Sequence, residues 1–397
     1  MQNKKEMIDI TDSCTGCRAC EKICPKHCIS MKTDHEGFIY PVIDMEKCID
    51  CGACKKTCPQ NNKVVNGIPL HVYAIRAKED KLLKKSASGG VFAVAAKYVL
   101  NNGGIVFGAA YDDNMCVQHV KIENISDLWR LQNSKYVQSD TENTFVETKE
   151  ILKRGGFVLY SGTPCQIAGL KMFLKRDYDN LLTIDIVCHG VPSPKIFSKY
   201  IEWRSRKIGE PVRYCNFRDK ADGWGLSLVL TTAPCGRRLS VIGPSDPFYY
   251  HFLKGNLHRP CCYKCHYASE YRPADMTVGD YWGIEKEHKK FFSYKGVSLL
   301  MLNNRHAVDF FERIKEDFYT LESSYEKASR KNGNLRAPSV PGSKRDVVYK
   351  NIDIMSPEVY FEQELSCPHT MKNRIKGIMP EKFRLFIKML KTYACSC

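Results

Sequence analysis

Cysteines at a repeated spacing are the clearest chemical signal in the chain. Eight of them form two C-x2-C-x2-C-x3-C runs, each followed by a proline: Cys14, Cys17, Cys20 and Cys24, then Cys48, Cys51, Cys54 and Cys58. In this spacing three cysteines hold one 4Fe–4S cluster and the fourth crosses to the other cluster. We therefore predict two clusters, one held by Cys14, Cys17, Cys20 and Cys58, the other by Cys48, Cys51, Cys54 and Cys24.

Two other uses of such cysteines fit less well. Zinc knuckles also contain C-x2-C pairs, but four cysteines in this spacing, repeated 34 residues later, disfavour zinc. Disulfides are less suited still, because loops this short and dense favour metal. Gly16 and Gly52 stand where the backbone passes close to inorganic sulfide, which leaves no room for a side chain.

Composition places the chain among globular proteins of a reducing compartment. It has 397 residues, 43% of them hydrophobic, and a mean hydropathy of -0.36. No apolar stretch is long enough to span a membrane, and the charged segment Met1–Asp12 does not resemble a signal peptide. Twenty cysteines without a secretory signal indicate the cytoplasm and metal binding.

The formal net charge of +16 predicts a basic surface. Each oxidised cluster with four thiolates offsets it by roughly -2. A basic surface suits an acidic ferredoxin or a phosphorylated cofactor, and it is also the ordinary state of many solvated surfaces. Nucleic acid is not expected as a partner, because Lys and Arg are dispersed and no nucleic-acid module is recognisable.

Alternating strand and helix patterns follow a polar linker at residues 60–70. The first strand is expected at Val72–Ala77, and Ser86–Gly90 then opens a helix at Val91–Leu100. A Ser- and Gly-rich turn before a helix offers backbone N–H groups to a phosphate, although it is equally a simple helix cap. The next strand is expected at Ile105–Tyr111, and Ser134–Gln138 follows a short helical stretch.

A second α/β unit begins near residue 143 and carries two single cysteines. Cys165 follows a strand at Phe157–Tyr160, and Pro164 places it in the first turn of a helix, where its thiolate would be stabilised. Cys188 follows a strand at Leu181–Val187, and ligands gather at such strand ends. Cys262 and Cys265 form a C-x2-C pair. These four cysteines suggest a further metal site, for which spacing leaves zinc and iron–sulfur equally open.

Several short motifs together resemble the coenzyme F420 hydrogenase/dehydrogenase beta-subunit family. With the N-terminal module they cover residues 10 to about 320. The matching stretches are Ser86–Gly90, Ser134–Ser139, Gly162–Gln166, Cys188–Gly190, Phe217–Lys220 with Gly223 and Trp224, Cys262–Cys265 and Gly279–Gly283.

The resemblance implies an iron–sulfur flavoprotein with FAD in an α/β domain. It also implies a third 4Fe–4S cluster on Cys165, Cys188, Cys262 and Cys265, with Cys262 rather than Cys261 as the ligand. The flavin-side residues it implies are Ser88, Gly89, Gly90, Ser134, Lys135 and Tyr136. His189 and Asp280 are the expected proton-relay groups near the flavin, although His189 is also suited to hydrogen-bonding a cluster sulfur and Asp280 to capping a turn.

The C-terminal segment predicts a basic amphipathic helix. Phe383, Phe386, Ile387 and Leu390 recur at helical spacing with lysines between them. Such a helix suits an anionic membrane surface or a partner protein, but its apolar stripe more often packs on its own domain.

These patterns together predict an α/β (α+β) chain: a bacterial-ferredoxin-like dicluster domain, an α/β flavin-binding domain and a helical C-terminal tail. The expected domains are residues 1–62, 70–142, 143–330 and 331–397. The leading hypothesis is an FAD- and 4Fe–4S-dependent oxidoreductase that exchanges electrons with a ferredoxin or a deazaflavin such as coenzyme F420. The alternatives are a non-catalytic electron-transfer subunit and a binding module in which the third site holds zinc.

Overall fold

The computed structural model describes residues 12–368 and 371–396. Residues 1–11, on which the expected lack of a signal peptide rests, lie outside them. The strands are β1 Ile29–Thr33, β2 Ile39–Ile43, β3 His71–Ala77, β4 Ile105–Tyr111, β5 Val117–Ile122, β6 Val158–Gly162, β7 Leu181–Ile186, β8 Val212–Asn216, β9 Ser227–Thr232, β10 Arg238–Ile242, β11 Met276–Asp280, β12 Ser298–Leu302 and β13 Phe318–Glu322. The helices are α1 Ala19–Ile23, α2 Ala53–Thr57, α3 Asp80–Lys84, α4 Val91–Asn101, α5 Leu128–Leu131, α6 Thr144–Lys153, α7 Pro164–Leu174, α8 Pro194–Ile208, α9 Pro247–Leu253, α10 Ile284–Glu287, α11 Arg305–Glu312, α12 Tyr325–Ser329, α13 Arg345–Lys350, α14 Pro357–Val359, α15 Met371–Ile378 and α16 Glu381–Ser396.

The N-terminal domain combines the antiparallel pair β1–β2 with two five-residue helices, α1 and α2. Each helix begins two residues after the second cysteine of its run. The residue before α2 is Gly52 with φ 69°, a left-handed conformation that glycine adopts at little cost. The two cysteine runs therefore fold as loops that turn sharply into short helices.

One eight-stranded sheet forms the centre of the chain, in the order β13-β3-β12-β11-β7-β6-β4-β5. Strands β4, β6, β7 and β11 are parallel, and the strands on either side of them are antiparallel. Helices α4 and α11 contribute to one apolar core, and α6 and α7 contribute to another. The predicted mixed α/β class is confirmed. The expected boundary at 142/143 falls within this sheet, because β4 pairs with β6 across it.

A second sheet, ordered β10-β9-β8, is antiparallel throughout. It packs with α8, α9 and α13 around a core rich in aromatic side chains. Tyr349, Tyr360 and Phe361 are buried in this core, so residues 345–365 belong to the folded body rather than to a tail. The expected boundary at residue 62 remains a prediction.

No helix within residues 12–368 and 371–396 has both the length and the apolar character needed to cross a membrane. The predicted C-terminal helix is present as α15 and α16.

Candidate functional site

Two cavities in the N-terminal domain separate the eight paired-run cysteines into the predicted sets. Cys14, Cys17, Cys20 and Cys58 line a cavity of about 210 Å³. Cys24, Cys48, Cys51 and Cys54 line the second, smaller one. Four thiols around one cavity form the donor set of a 4Fe–4S cluster, so each set fits the cluster that the spacing predicts.

A fifth thiol, that of Cys28, also lines the second cavity. Its sulfur lies 3.3 Å from that of Cys24, and the side chain is buried. From the sequence we expected a structural cysteine at this position, because its spacing matches no ligand pattern. Its closeness to Cys24 follows from the turn after Pro25.

The four remaining candidate thiols are brought together at one end of the parallel strands. Cys165 follows β6 as the second residue of α7, and Cys188 follows β7. Burial raises the pKa of the Cys165 thiol well above its ordinary value, and the thiols of Cys265, Cys188 and Cys262 raise it further. The helix N-terminus is as predicted, but the expected stabilisation of the free thiolate is wrong, because desolvation outweighs it.

The four thiols of this group influence one another electrostatically. Within the part of the chain that the structure describes, no three His, Cys, Asp or Glu side chains are found in an arrangement that holds one metal ion. Four thiols are a donor set that both a 4Fe–4S cluster and a structural zinc ion use.

The main cavity, of about 510 Å³, adjoins this thiol group. Cys165 and Cys188 line it, and so does Thr15 from the loop of the first cluster. Five of the six predicted flavin-side residues line it as well: Ser88, Gly90, Ser134, Lys135 and Tyr136. Its volume is that of a typical cofactor or ligand pocket.

Gly89 is the sixth predicted residue and is not among the cavity-lining residues. Its N–H donates to Ser298 Oγ at 2.7 Å, and a side chain there would collide with the backbone of Ile75. The Ser88 hydroxyl donates to Val297 O at 2.9 Å. Because these two groups have partners within the protein, the Ser86–Gly90 turn packs α4 against the sheet, and its expected role in holding a phosphate stays a prediction.

The side chains of Lys135 and Tyr136 are held by protein groups. Lys135 Nζ donates to the carbonyls of Arg130 and Gln132, both at 2.7 Å, and burial lowers its pKa to about 7. The Tyr136 ring stacks on Phe252 at 4.3 Å between centroids. Both residues therefore shape the cavity wall and present limited polar surface to a ligand.

Asp280 lines the cavity but pairs with an arginine to which the sequence analysis gave no role. Arg218 Nη2 donates to Asp280 Oδ1 at 2.7 Å, and Trp224 Nε1 donates to the same oxygen at 2.6 Å. A carboxylate held in this way is poorly placed to move a proton, so the geometry disfavours Asp280 as a relay. His189 also lines the cavity, with its ring centroid 6.4 Å from that of Phe252.

The sequence analysis gave no cofactor role to some further residues that line the cavity. They are Arg218, His119, Gln166 and Trp282. Trp282 stacks on Trp224 at 5.1 Å between centroids, and Arg218 lies over its ring. The available signal for Arg218 was its place in the Phe217–Lys220 motif, whereas nothing around His119 marked it.

His119 is a buried histidine that we expect to make stability depend on pH. Its ring nitrogens lie 2.8 Å from Ser139 Oγ and 2.9 Å from Ser161 O. Burial lowers its pKa from 6.5 to about 4, with smaller effects from Ser161, Asp140 and Lys135. Between these pH values the unfolded chain binds more protons at this histidine than the folded chain does. The contribution of His119 to the free energy of unfolding is therefore complete above about pH 6.5 and declines towards pH 4.

The measurement is the free energy of unfolding between pH 4 and 7 for the native chain and His119→Gln. At about 1.4 kcal/mol per pKa unit, His119 accounts for up to about 3 kcal/mol of the decline. The variant should therefore show a flatter pH dependence than the native chain. Parallel curves for the two proteins would show that His119 titrates normally.

Several contacts join the first cluster loop to the rest of the site, and two of them lie next to its cysteines. The first is Arg259, whose fully buried guanidinium donates to Cys14 O at 2.8 Å and to Gln138 Oε1 at 3.0 Å. The second is on α7, where a Cβ added to Gly169 would lie 2.9 Å from Cys17 Sγ. Only glycine permits this approach, so the first cluster loop rests directly on the helix that carries Cys165.

Comparisons with known proteins agree with this architecture. Residues 156–327 match the family model for the C-terminal part of the coenzyme F420 hydrogenase/dehydrogenase beta subunit, and residues 13–62 match a 4Fe–4S dicluster domain. No curated protein is significantly similar in sequence. One similar solved structure is a chain from the xenon-derivatized F420-reducing nickel–iron hydrogenase complex of Methanosarcina barkeri. It shows 17% identity and a TM-score of 0.45, with 75% of this chain and 93% of that chain covered.

Proposed function

We propose, from the match of residues 156–327 to the coenzyme F420 hydrogenase/dehydrogenase beta-subunit family, that this chain is an iron–sulfur flavoprotein oxidoreductase. The coarser statement is established: the chain is an iron–sulfur electron-transfer protein with an N-terminal dicluster domain. The proposal adds FAD and an organic acceptor or coenzyme F420. A cytoplasmic location, expected from the cysteine content, belongs to the same proposal.

The main cavity is the observation that carries the proposal. It places five predicted flavin-side residues beside Cys165 and Cys188, with Thr15 of the first cluster loop at its edge. FAD exchanges two electrons with an organic substrate and passes them singly to clusters. A cavity that borders the proposed ligands Cys165 and Cys188 and the loop of the first cluster suits such a converter.

The chain's own residues have distinct parts in this proposal. Tyr136 and Trp282 supply flat apolar walls for an aromatic ring system. The Arg218–Asp280 pair holds one end of the cavity rigid. His189 is the proposed group for holding or moving a proton beside the cofactor.

A third 4Fe–4S cluster on Cys165, Cys188, Cys262 and Cys265 completes the proposed electron path. The support is the group of four mutually interacting thiols at this end of the parallel strands. The buried charge of Arg259 also lies close to several thiols, since Cys261 acts on it most strongly among them and Cys14 and Cys262 act on it as well. A cation buried this deeply is stabilised by nearby anionic groups.

A non-catalytic electron-transfer subunit is the second candidate, and the second cluster site favours it. Cys51 is exposed there, as are Ile49 and Met45, which are more than half accessible. An exposed cluster edge with apolar neighbours suits contact with a ferredoxin or another redox protein. Reduction of an acceptor by the isolated chain would separate an enzyme from an electron-transfer component of this kind.

Cofactor analysis of protein purified without oxygen tests the proposal. Three clusters predict about 12 iron atoms per chain, with FAD near one equivalent and no stoichiometric zinc. About 8 iron atoms with one zinc and no flavin would contradict it.

A variant that blocks the main cavity tests the flavin position. We expect Ser134→Phe to lower the FAD content by about tenfold or more, because the added phenyl ring fills part of the cavity that FAD would occupy. Iron should stay unchanged, since Ser134 lies outside the thiol groups. Ser126→Phe, at an exposed serine, is the matched control and should retain FAD. Equal FAD in both variants would place the flavin elsewhere.

A further inference from the structure

The C-terminal helix α16 is attached to the body by its polar side. Arg384 Nε donates to Asp222 Oδ2 at 2.9 Å, and Lys388 Nζ donates to Gly223 O at 3.0 Å. One helical turn further, Thr392 Oγ1 accepts a hydrogen bond from Tyr294 N at 2.9 Å. These three residues follow one another at spacings of four, so they lie along one face of the helix.

The apolar side of α16 faces away from the body. Phe383, Phe386, Ile387 and Leu390 are 51%, 52%, 46% and 51% exposed. An amphipathic helix ordinarily buries such a stripe against its own domain, and we expected the same here. That expectation is wrong, because the ion pairs with Asp222 direct the opposite face inward.

The preceding helix, α15, also exposes apolar side chains. Met371, Ile375 and Ile378 of α15 are each more than half accessible. Together with the stripe on α16 they form what we call the C-terminal apolar face. Large exposed apolar surfaces in folded proteins mark contact sites.

The charges around this face have one sign. Lys382 is exposed next to the stripe on α16, whereas Lys391 has its Nζ 5.3 Å from the ring centroid of Phe292 in the body. Residues 371–396 contain seven Lys and Arg residues and one acidic residue, Glu381. A row of Phe, Ile and Leu side chains flanked by lysines is typical of helices that lie in a membrane interface.

We propose that the C-terminal apolar face binds the surface of an anionic lipid bilayer. The apolar stripe would enter the boundary between headgroups and acyl chains, while the exposed Lys382 meets the lipid charge. The polar face stays bound to the body, so the folded chain would rest on the bilayer without crossing it. This inference concerns where the protein works and goes beyond the proposed electron-transfer function.

Vesicle flotation of the full chain tests it. We expect the chain to float with vesicles of equal parts phosphatidylglycerol and phosphatidylcholine, and to remain unbound with phosphatidylcholine alone. The double variant Phe386→Glu/Leu390→Glu should bind at least about tenfold less, because it places charges in the inserted stripe. Ile354→Glu, at an apolar residue that is 78% exposed outside this face, is the matched control and should float like the native chain.

Other outcomes would overturn the inference. They are no binding to anionic vesicles, equal binding by the double variant, or a dimer of the native chain that the double variant abolishes while vesicles remain unbound. Iron content and circular dichroism check that each variant is folded. They also keep the test independent of the proposed function, since a chain without flavin can still bind or fail to bind lipid.

Discussion

Cys262→Ser should lower the iron content from about 12 to about 8 atoms per chain and leave the two N-terminal clusters intact. The replaced thiol belongs to the group formed with Cys165, Cys188 and Cys265, and a serine hydroxyl is a poor ligand for this metal. Electron transfer from the N-terminal clusters to the flavin should fall by more than the roughly 10- to 100-fold that outer-shell changes bring. Iron, acid-labile sulfide and the rate of flavin reduction by dithionite-reduced ferredoxin are the measurements.

The adjacent residue provides a closely matched control. Cys261 is buried beside Cys262, and the family resemblance assigns the ligand role to Cys262 alone. Cys261→Ser should therefore keep about 12 iron atoms per chain. Loss of iron from Cys261→Ser but not from Cys262→Ser would show that Cys261, rather than Cys262, is the ligand. Loss of one zinc from Cys262→Ser, with iron unchanged, would make the site a zinc site.

Arg272→Met should lower the free energy of unfolding by about 3–5 kcal/mol, the typical consequence of breaking a buried ion pair by removing one partner. Arg272 and Asp185 are 1% and 0% exposed, and their closest charged atoms are 3.0 Å apart. Burial raises the pKa of Asp185, and Arg272 opposes that rise. Without Arg272 the carboxylate is left buried and unpaired. Urea unfolding followed by circular dichroism measures the effect.

The double variant Arg272→Met/Asp185→Leu separates the lost pair from the lost packing. It should regain most of the stability, because two apolar side chains can replace a buried pair at little cost. Arg330→Met removes an arginine that is itself half exposed, and it should leave stability close to that of the native chain because solvent screens its ion pairs. A double variant no more stable than Arg272→Met would show that Asp185 was not the source of the loss.

Local patterns in the sequence were enough to predict features that depend on neighbouring residues. The two cysteine runs predicted which thiols share a cavity. Strand and helix periodicity predicted β4 and α7 to within a few residues, because each element's burial follows its own pattern of side chains.

Features that depend on distant pairings could not be predicted in this way. Asp280 was expected to relay a proton. Its partner Arg218 lies 62 residues away, and because no spacing rule connects the two residues, the sequence did not reveal their pairing. The helical period of α16 indicated an apolar stripe but not its direction, which is set by Asp222, more than 150 residues earlier. Gly89 was expected beside the cofactor. Its contact with Ser298 also joins residues far apart in the sequence, so no local pattern revealed it.

Helix α7 would act as a fixed spacer between the first cluster site and the proposed third cluster site. It carries Cys165 in its first turn and, four residues later, the glycine on which Cys17 rests. Four residues of α-helix span about 6 Å, and a helix does not stretch or bend at this scale. Electron tunnelling between the two sites would therefore proceed over a constant gap. Control of the flow would then fall to partner docking and substrate supply, since a hinge motion between the domains could not alter that gap without breaking the contact.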